Sequence, residues 1–547
     1  MKKMGVCVLL AAAFCARFLC PVYAVPMLGE RSIMRGWVSL LEAASTSAPL
    51  PGPTSPPPRP PDRLSVVDEA RPELYNLRYS VVGSREAHEI AMPAQDGYAQ
   101  VEGVLTFRGG PYRQNAAYGY ASAPEKRLEI VWQKKIGALD NWSGVGWNGQ
   151  PALVRWPEET RRVMNLYEEK KEKENWVEVI YGTLDGKIYF LDLSDGTPTR
   201  DPINIRFPIK GSVSVDPRGI PLLYSGQGIS RLTERSGSIG MRIFSLIDGN
   251  ELYMINGMDE DAVRRHGAFD SVALVDAASD TLIEAGENGL VYVVPLHTQY
   301  NPDTGGLSIS PQRSAYKYYH SKGIGTENSI AVYGHYGYFT DNGGLLQCID
   351  LRTLSPVWAG DVTDDTDATI ALDPMDNGEV RLYTGCEVDL QHRGGKAYLR
   401  CFDALSGALL WEHAEPCDYD SFLNGGLLGS PLVGQGEVSH LVFFHVAKIL
   451  PSGGALVALD KRDGTVVWRQ TFKRYGWSSP VAVYDVNGKA HIVLGDSGGN
   501  LRLIDADNGE VLDTISLDGN IEGSPAVFDD MLVIGTRGRV IYGIAIR

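Results

Sequence analysis

Apolar and polar residues alternate along this chain in short runs, and the runs come in pairs. Val179, Ile180 and Tyr181 precede KIYFLD, which starts at Lys187; Arg381, Leu382 and Tyr383 precede KAYLRCFD from Lys396; His491 to Leu494 precede NLRLID from Asn500. Alternation of period two predicts β-strands. The glycine just before the second run of each pair marks a hairpin turn. That glycine recurs at Gly186, Gly240, Gly289, Gly344, Gly395, Gly454, Gly499 and Gly538, at spacings of 54, 49, 55, 51, 59, 45 and 39 residues. After the second run come an acidic residue, a turn and often a third strand with a tryptophan: IDLRTLSPVWAG, FDALSGALLWEH and LDKRDGTVVWRQ hold Trp358, Trp411 and Trp468. The units at LIDGNELYM and VPLHTQYNP lack the Trp.

A repeat of this length and content predicts an all-β ring, an eight-bladed β-propeller of four-stranded antiparallel blades. The ends support closure. The last unit stops after its third strand, while Arg127 to Ile136, with Trp132, is a Trp-bearing strand without a partner before it. The expectation is that this N-terminal strand completes the last blade and removes any free sheet edge. Pro157 to Asn175 interrupts the pattern. It reads as a short helix over the first blade, with Val163, Met164, Leu166 and Tyr167 as its apolar side and EEKKEKE in solvent.

The succession of apolar strand, Asp-Gly or Gly-Gly turn, LD, acidic residue, Gly and Trp resembles the quinoprotein-type propeller repeat. Quinone-dependent alcohol dehydrogenases and an outer-membrane assembly lipoprotein share it. The resemblance runs from about Val104 to Arg547, and Thr106 to Pro111 resembles the lead-in to the family's first strand. It implies that Trp132, Trp358, Trp411 and Trp468 dock between neighbouring blades, each contributing about 2 to 3 kcal/mol.

The N-terminus has a different texture. Lys2 and Lys3, the apolar stretch Gly5 to Phe14 and Val22-Tyr23-Ala24 read as a secretory signal over residues 1–24, too short to span a membrane. Residues 25–100 form an extension, with a candidate helix over Leu28 to Ala44 and a proline-rich spacer over 48–62; the propeller occupies 101–547. No later segment has the length of a spanning helix. Of 547 residues, 61 are Gly and 31 Pro, as many short strands and turns require, and a net charge of −16 argues against nucleic acid or anionic membrane as partner. An exported protein permits disulfides. Cys386 and Cys401, on consecutive strands of one hairpin, are the best pair; the alternative is four buried thiols, with Cys348 and Cys417.

In a propeller the first strand of each blade begins at the channel mouth. The starts here bring Trp142, Glu327, Asp364, Asp367, Asn424, Trp477 and Glu522 to one acidic ring, and these are the candidate ligand-binding residues. The Gly and Ser beside them follow from the crowding of eight strands. Asp361 to Asp367, DVTDDTD, is either a solvated loop or a holder of Ca²⁺. Dehydrogenases of the family hold Ca²⁺ and cover a quinone with a disulfide between adjacent cysteines; this chain has no adjacent cysteines and no CxxCH haem site. HExxH is absent from the sequence too, and no GxSxG or Walker loop stands on a predicted strand-to-helix turn. The expectation is a secreted or envelope-associated binding or scaffolding propeller with no catalytic residues, no resident metal and no PQQ, its ligand a protein, peptide or glycan. The alternative is a PQQ- and Ca²⁺-dependent dehydrogenase.

Overall fold

The structure is a computed structural model that describes residues 77–547 except 85–87, 148, 322, 420–422 and 451–452, together with the backbone of Ser65 and Val66. The expected signal, the Leu28 to Ala44 helix and the proline-rich spacer lie outside the described residues. Eight four-stranded antiparallel units follow one another along the chain, and we number them as blades in the order of their first strands. Blade 1 consists of Ala152–Val154, Glu178–Gly182, Lys187–Asp192 and Ile203–Asn204, and blade 7 of Val481–Tyr484, Ala490–Gly495, Asn500–Asp505 and Val511–Ser516. In blade 8, Ala526–Phe528, Met531–Thr536 and Val540–Ile546 are completed by Leu128–Lys135, with Lys135 opposite Val540 and Leu128 opposite Ile546. The protein is therefore an eight-bladed β-propeller closed by its N-terminal strand, as the two incomplete ends of the repeat require.

The repeat motif has a mechanical reason. Trp411, on the outer strand of blade 5, donates its indole N–H to Lys461 O of blade 6 at 2.9 Å. Its ring lies flat on the turn at Gly464, where φ is +72° and a Cβ would come within 2.6 Å of the indole. Trp468 makes the same contact with Ala506 O and Gly509 of blade 7, and Trp132 with Leu193 O and Gly196 of blade 1. Trp358 donates to Ala404 O of blade 5. The Gly of one unit and the Trp of the preceding one thus form a single joint. Between blades 1 and 2, where the Trp is missing, the wholly buried Arg200 donates to Leu246 O at 3.1 Å and is held by Glu178 at 2.7 Å.

Nearer the axis, hydroxyls do the joining. Ser329 Oγ accepts from Val272 N, Thr369 Oγ1 from Ser329 N, Ser479 Oγ from Ser430 N and Ser524 Oγ from Ser479 N, all between 2.9 and 3.0 Å. The small polar residues at the strand starts are explained by this stitching.

The segment before the closing strand fills the channel. Leu105, Pro111, Tyr112, Gln114 and Ala116 each accept a backbone hydrogen bond from the first strand of blades 2, 4, 5, 6 and 8 in turn. Gly103 and Val104 pair with Val154 and Leu153 of blade 1. Arg108 and Arg113 are fully buried there, and most of their hydrogen bonds go to main-chain carbonyls: Arg108 reaches Pro480, Pro431 and Gln114, and Arg113 reaches Ile330, Val272 and Phe107. Burial pushes the Arg108 guanidinium down to about 9 and that of Arg113 to about 10.

Chain upstream of residue 101 already belongs to the sheets. Arg78–Gly83 adds a fifth strand to blade 3, and Ser65–Val66 pairs in parallel with Trp358 and Ala359 of blade 4. The insertion over blade 1 forms two short helices, Glu158–Val163 and Glu168–Glu172, rather than one. Its charged end is not simply solvated: Lys170 is buried and, with Lys173, clamps Asp192 at 2.8 and 2.6 Å. Burial alone would raise the Asp192 carboxyl, but the two lysines outweigh it and bring it to about 2. The four described cysteines are free, buried thiols, so the Cys386–Cys401 pairing does not form. Across the hairpin the strands face Cys401 with Tyr383, and Cys386 N donates to Tyr398 O, three residues off register.

Candidate ligand site at the channel mouth

Two sets of loops build the mouth: those leading into the first strands, and the hairpins between second and third strands, which turn at the same end. They enclose a cavity of about 290 Å³ lined by Trp142, Trp147, Trp477, Asp367, Glu387 and Glu522 among others. Trp142 is presented by a small hairpin in which Ala138–Leu139 pairs with Trp142–Ser143. Trp477 stands beside Tyr475, ring centres 6.1 Å apart, and its indole N–H has no hydrogen-bond partner. Trp147 donates to Leu428 O at 3.4 Å.

Of the residues expected from sequence, Trp142, Asp367, Asn424, Trp477 and Glu522 line this cavity together. Glu327 sits to one side with Asp270 and Glu287, their oxygens within 4.8 Å of one another. Asp364 serves the fold instead. Wholly buried, it accepts from the backbone N–H groups of Asp365, Leu390, Asp389 and Gln391 and anchors that loop. The DVTDDTD run is folded into the mouth, so the solvated-loop alternative does not hold.

Sequence reasoning missed Trp147, Glu387 and Arg537, and placed Lys210 at a strand start of the mouth without counting it among the ligand-binding residues. Glu387 and Arg537 ride on second-to-third-strand hairpins. Their signal was the charged residue one or two places from the turn that ends each second strand, as in Glu387 after Gly385 and Arg537 before Gly538.

Electrostatically the mouth is uneven. Lys210 Nζ lies 2.7 Å from Asp270, His266 Nδ1 2.6 Å from Glu287, and Arg537 3.2 Å from Glu522. A second carboxylate triad, Asp365, Asp367 and Glu387, also has oxygens within 4.8 Å. Burial, and then the proximity of other acids, raises Asp365 and Asp367; Glu387 is raised by burial against the pull of hydrogen bonds from Asp367 and Asn424. Such a triad can hold a proton, a divalent cation or an organic cation.

The family model for the outer membrane protein assembly factor BamB matches residues 452–547, the end of blade 6 with blades 7 and 8. Among solved structures, the quinohemoprotein alcohol dehydrogenase ADHIIG of Pseudomonas putida HK5 has 12% identity, covers 81% of this chain and 80% of its own, and superposes with a TM-score of 0.52. BamB from Moraxella catarrhalis has 13% identity, with 77% and 100% covered and a TM-score of 0.46. No curated protein matches the chain. The molecule has the β-propeller fold of these proteins, and the match to the family model is confined to residues 452–547. That fold carries both an assembly factor and an alcohol dehydrogenase, so the site must decide the role. Among the described residues no helix is long and apolar enough to cross a membrane.

Proposed function

We propose that this protein is an extracytoplasmic binding propeller without catalytic machinery of its own, which takes a protein, peptide or glycan of the cell envelope at its channel mouth. The observation that carries the reading is the cavity. Three indoles share about 290 Å³ of space above a channel that Phe107, Arg108 and Arg113 fill, so a ligand enters a blind aromatic pocket. The signal-like N-terminus and the match to a model named for an outer membrane assembly factor support an envelope location and a partner there.

A second reading is favoured by one observation, the Asp365, Asp367 and Glu387 triad, which has the oxygen chemistry for Ca²⁺. The quinone half of that reading fits poorly, because no two cysteines are adjacent to cap one face of the ring system.

An array of envelope peptides and glycans, probed with wild type and with Trp142→Ala and Trp477→Ala, tests the proposal. Binding lost at unchanged melting temperature is expected. A fall of several degrees with binding retained would make both tryptophans packing residues. Dye reduction by protein supplied with quinone and Ca²⁺ would install the dehydrogenase instead.

A further inference from the structure

Charge pairing in the mouth separates its acids into two groups. Asp270, Glu287 and Glu522 have Lys210, His266 and Arg537 against them, and Glu327 takes a hydrogen bond from Asn342 at 2.9 Å. Asp365, Asp367 and Glu387 have no base within ion-pair distance among the described residues; beyond the triad itself, Glu387 takes a side-chain hydrogen bond from Asn424, 2.9 Å from its Oε2. Glu387 is 0% exposed, lines the cavity, and its Oε1 has no hydrogen-bond partner. A buried carboxylate with an empty acceptor is costly unless a cation or a proton reaches it.

The rest of the cavity says which cation. Trp142, Trp147 and Trp477, with Leu423 and Leu428, give no oxygen to a hard metal ion, but they offer aromatic faces and apolar wall to an organic cation on a carbon stem. Lys210 and Arg537 also line the cavity but are already paired with Asp270 and Glu522, so neither supplies a counter-charge when Asp367 or Glu387 ionises. The volume suits one long side chain.

We infer that the mouth receives the protonated amine or guanidinium of a basic side chain presented by an envelope peptide, its head hydrogen-bonded to Glu387 and Asp367 and its stem against the tryptophans. This rests on the binding reading above and narrows it to one ligand class. Burial keeps the two carboxyls protonated more readily than usual, so binding displaces protons and weakens in mild acid.

Calorimetry on the full chain at pH 8 tests it, with acetyl-arginine amide and acetyl-lysine amide against citrulline and norleucine counterparts of the same shape. The charged pair is expected to bind about tenfold or more tightly than the neutral pair, and Glu387→Gln to abolish the difference while keeping the near-ultraviolet dichroism of the fold. Equal binding of neutral and charged amides, or unchanged binding by Glu387→Gln, overturns the inference. So does Ca²⁺ alone binding in a Glu387-dependent way and displacing the amide, which assigns the triad to a metal. If a neutral glycan binds and needs Trp477, the binding reading stands and only the cation is wrong.

Discussion

Glu387 shows how a single buried carboxyl ties the mouth to pH. Burial pushes it up to about 8, the charges of Glu327 and Asp364 push the same way, and the hydrogen bonds from Asp367 and Asn424 only partly oppose them. In the unfolded chain it ionises in the usual carboxylate range near 4. The folded state therefore holds the extra proton between those limits, and the stability this group gives is full below about pH 4 and lost as pH rises through about 8. Glu387→Gln removes the ionisation. Its melting temperature is expected to exceed that of wild type at pH 8 and to lose that advantage at pH 5. Equal differences at both pH values would show that Glu387 does not titrate this way. Two of the three indoles were legible from sequence, because Trp142 and Trp477 stand in the segments leading into first strands; Trp147 was not. The charged half was not: Glu387 reaches the cavity from the neighbouring hairpin, and only the knowledge that both loop sets turn at one end brings them together.

Between residues and ring lies the joint in which the Trp of one blade rests on the turn glycine of the next. Trp411→Ala should cost about 3 to 5 kcal/mol, read by urea unfolding, since it removes a large buried ring and leaves Lys461 O without its donor. Gly464→Ala meets both a left-handed backbone and the indole 2.6 Å away, whereas Gly394→Ala, at φ +86° with nothing within 4 Å, meets the backbone penalty alone. A loss at Gly464 larger by about 1 to 3 kcal/mol measures the contact itself. Equal losses would mean the joint is loose. The Gly and Trp were both visible as a repeat. What sequence could not show was that they belong to different blades, or that Arg200 takes the place of the Trp between blades 1 and 2, since an arginine followed by an aspartate reads as surface until Glu178 is found beside it.

At the scale of the molecule the ring depends on one strand. Deleting residues 127–136 removes the outer strand of blade 8 and the joint made by Trp132, so blade 1 loses its neighbour and Val540–Ile546 becomes a bare edge. Trimming residues 25–60 touches no described strand. The first deletion should lower the melting temperature far more than the second, and similar losses would refute closure by this strand. Eight blades and their closure were readable from the spacing of glycines and the two incomplete ends. The filled channel was not, because Val104 to Ala116 has no periodicity: it hydrogen-bonds to a different blade every one to six residues, and its two buried arginines look like solvent residues in sequence.

The closing pair also sets a clock. Leu128–Lys135 is made some 400 residues before the strand it must meet. At about 5 to 20 residues per second, that is a wait of roughly 20 to 80 seconds. During that wait the segment that will fill the channel has only the earlier blades to hold it, and Arg108 lacks the carbonyls of Pro431 and Pro480. The molecule cannot mature blade by blade from its N-terminus. Protease resistance is expected to arise in one late step, so under limited proteolysis chains stopped short of Val540 should be cleaved as readily as chains stopped at blade 6.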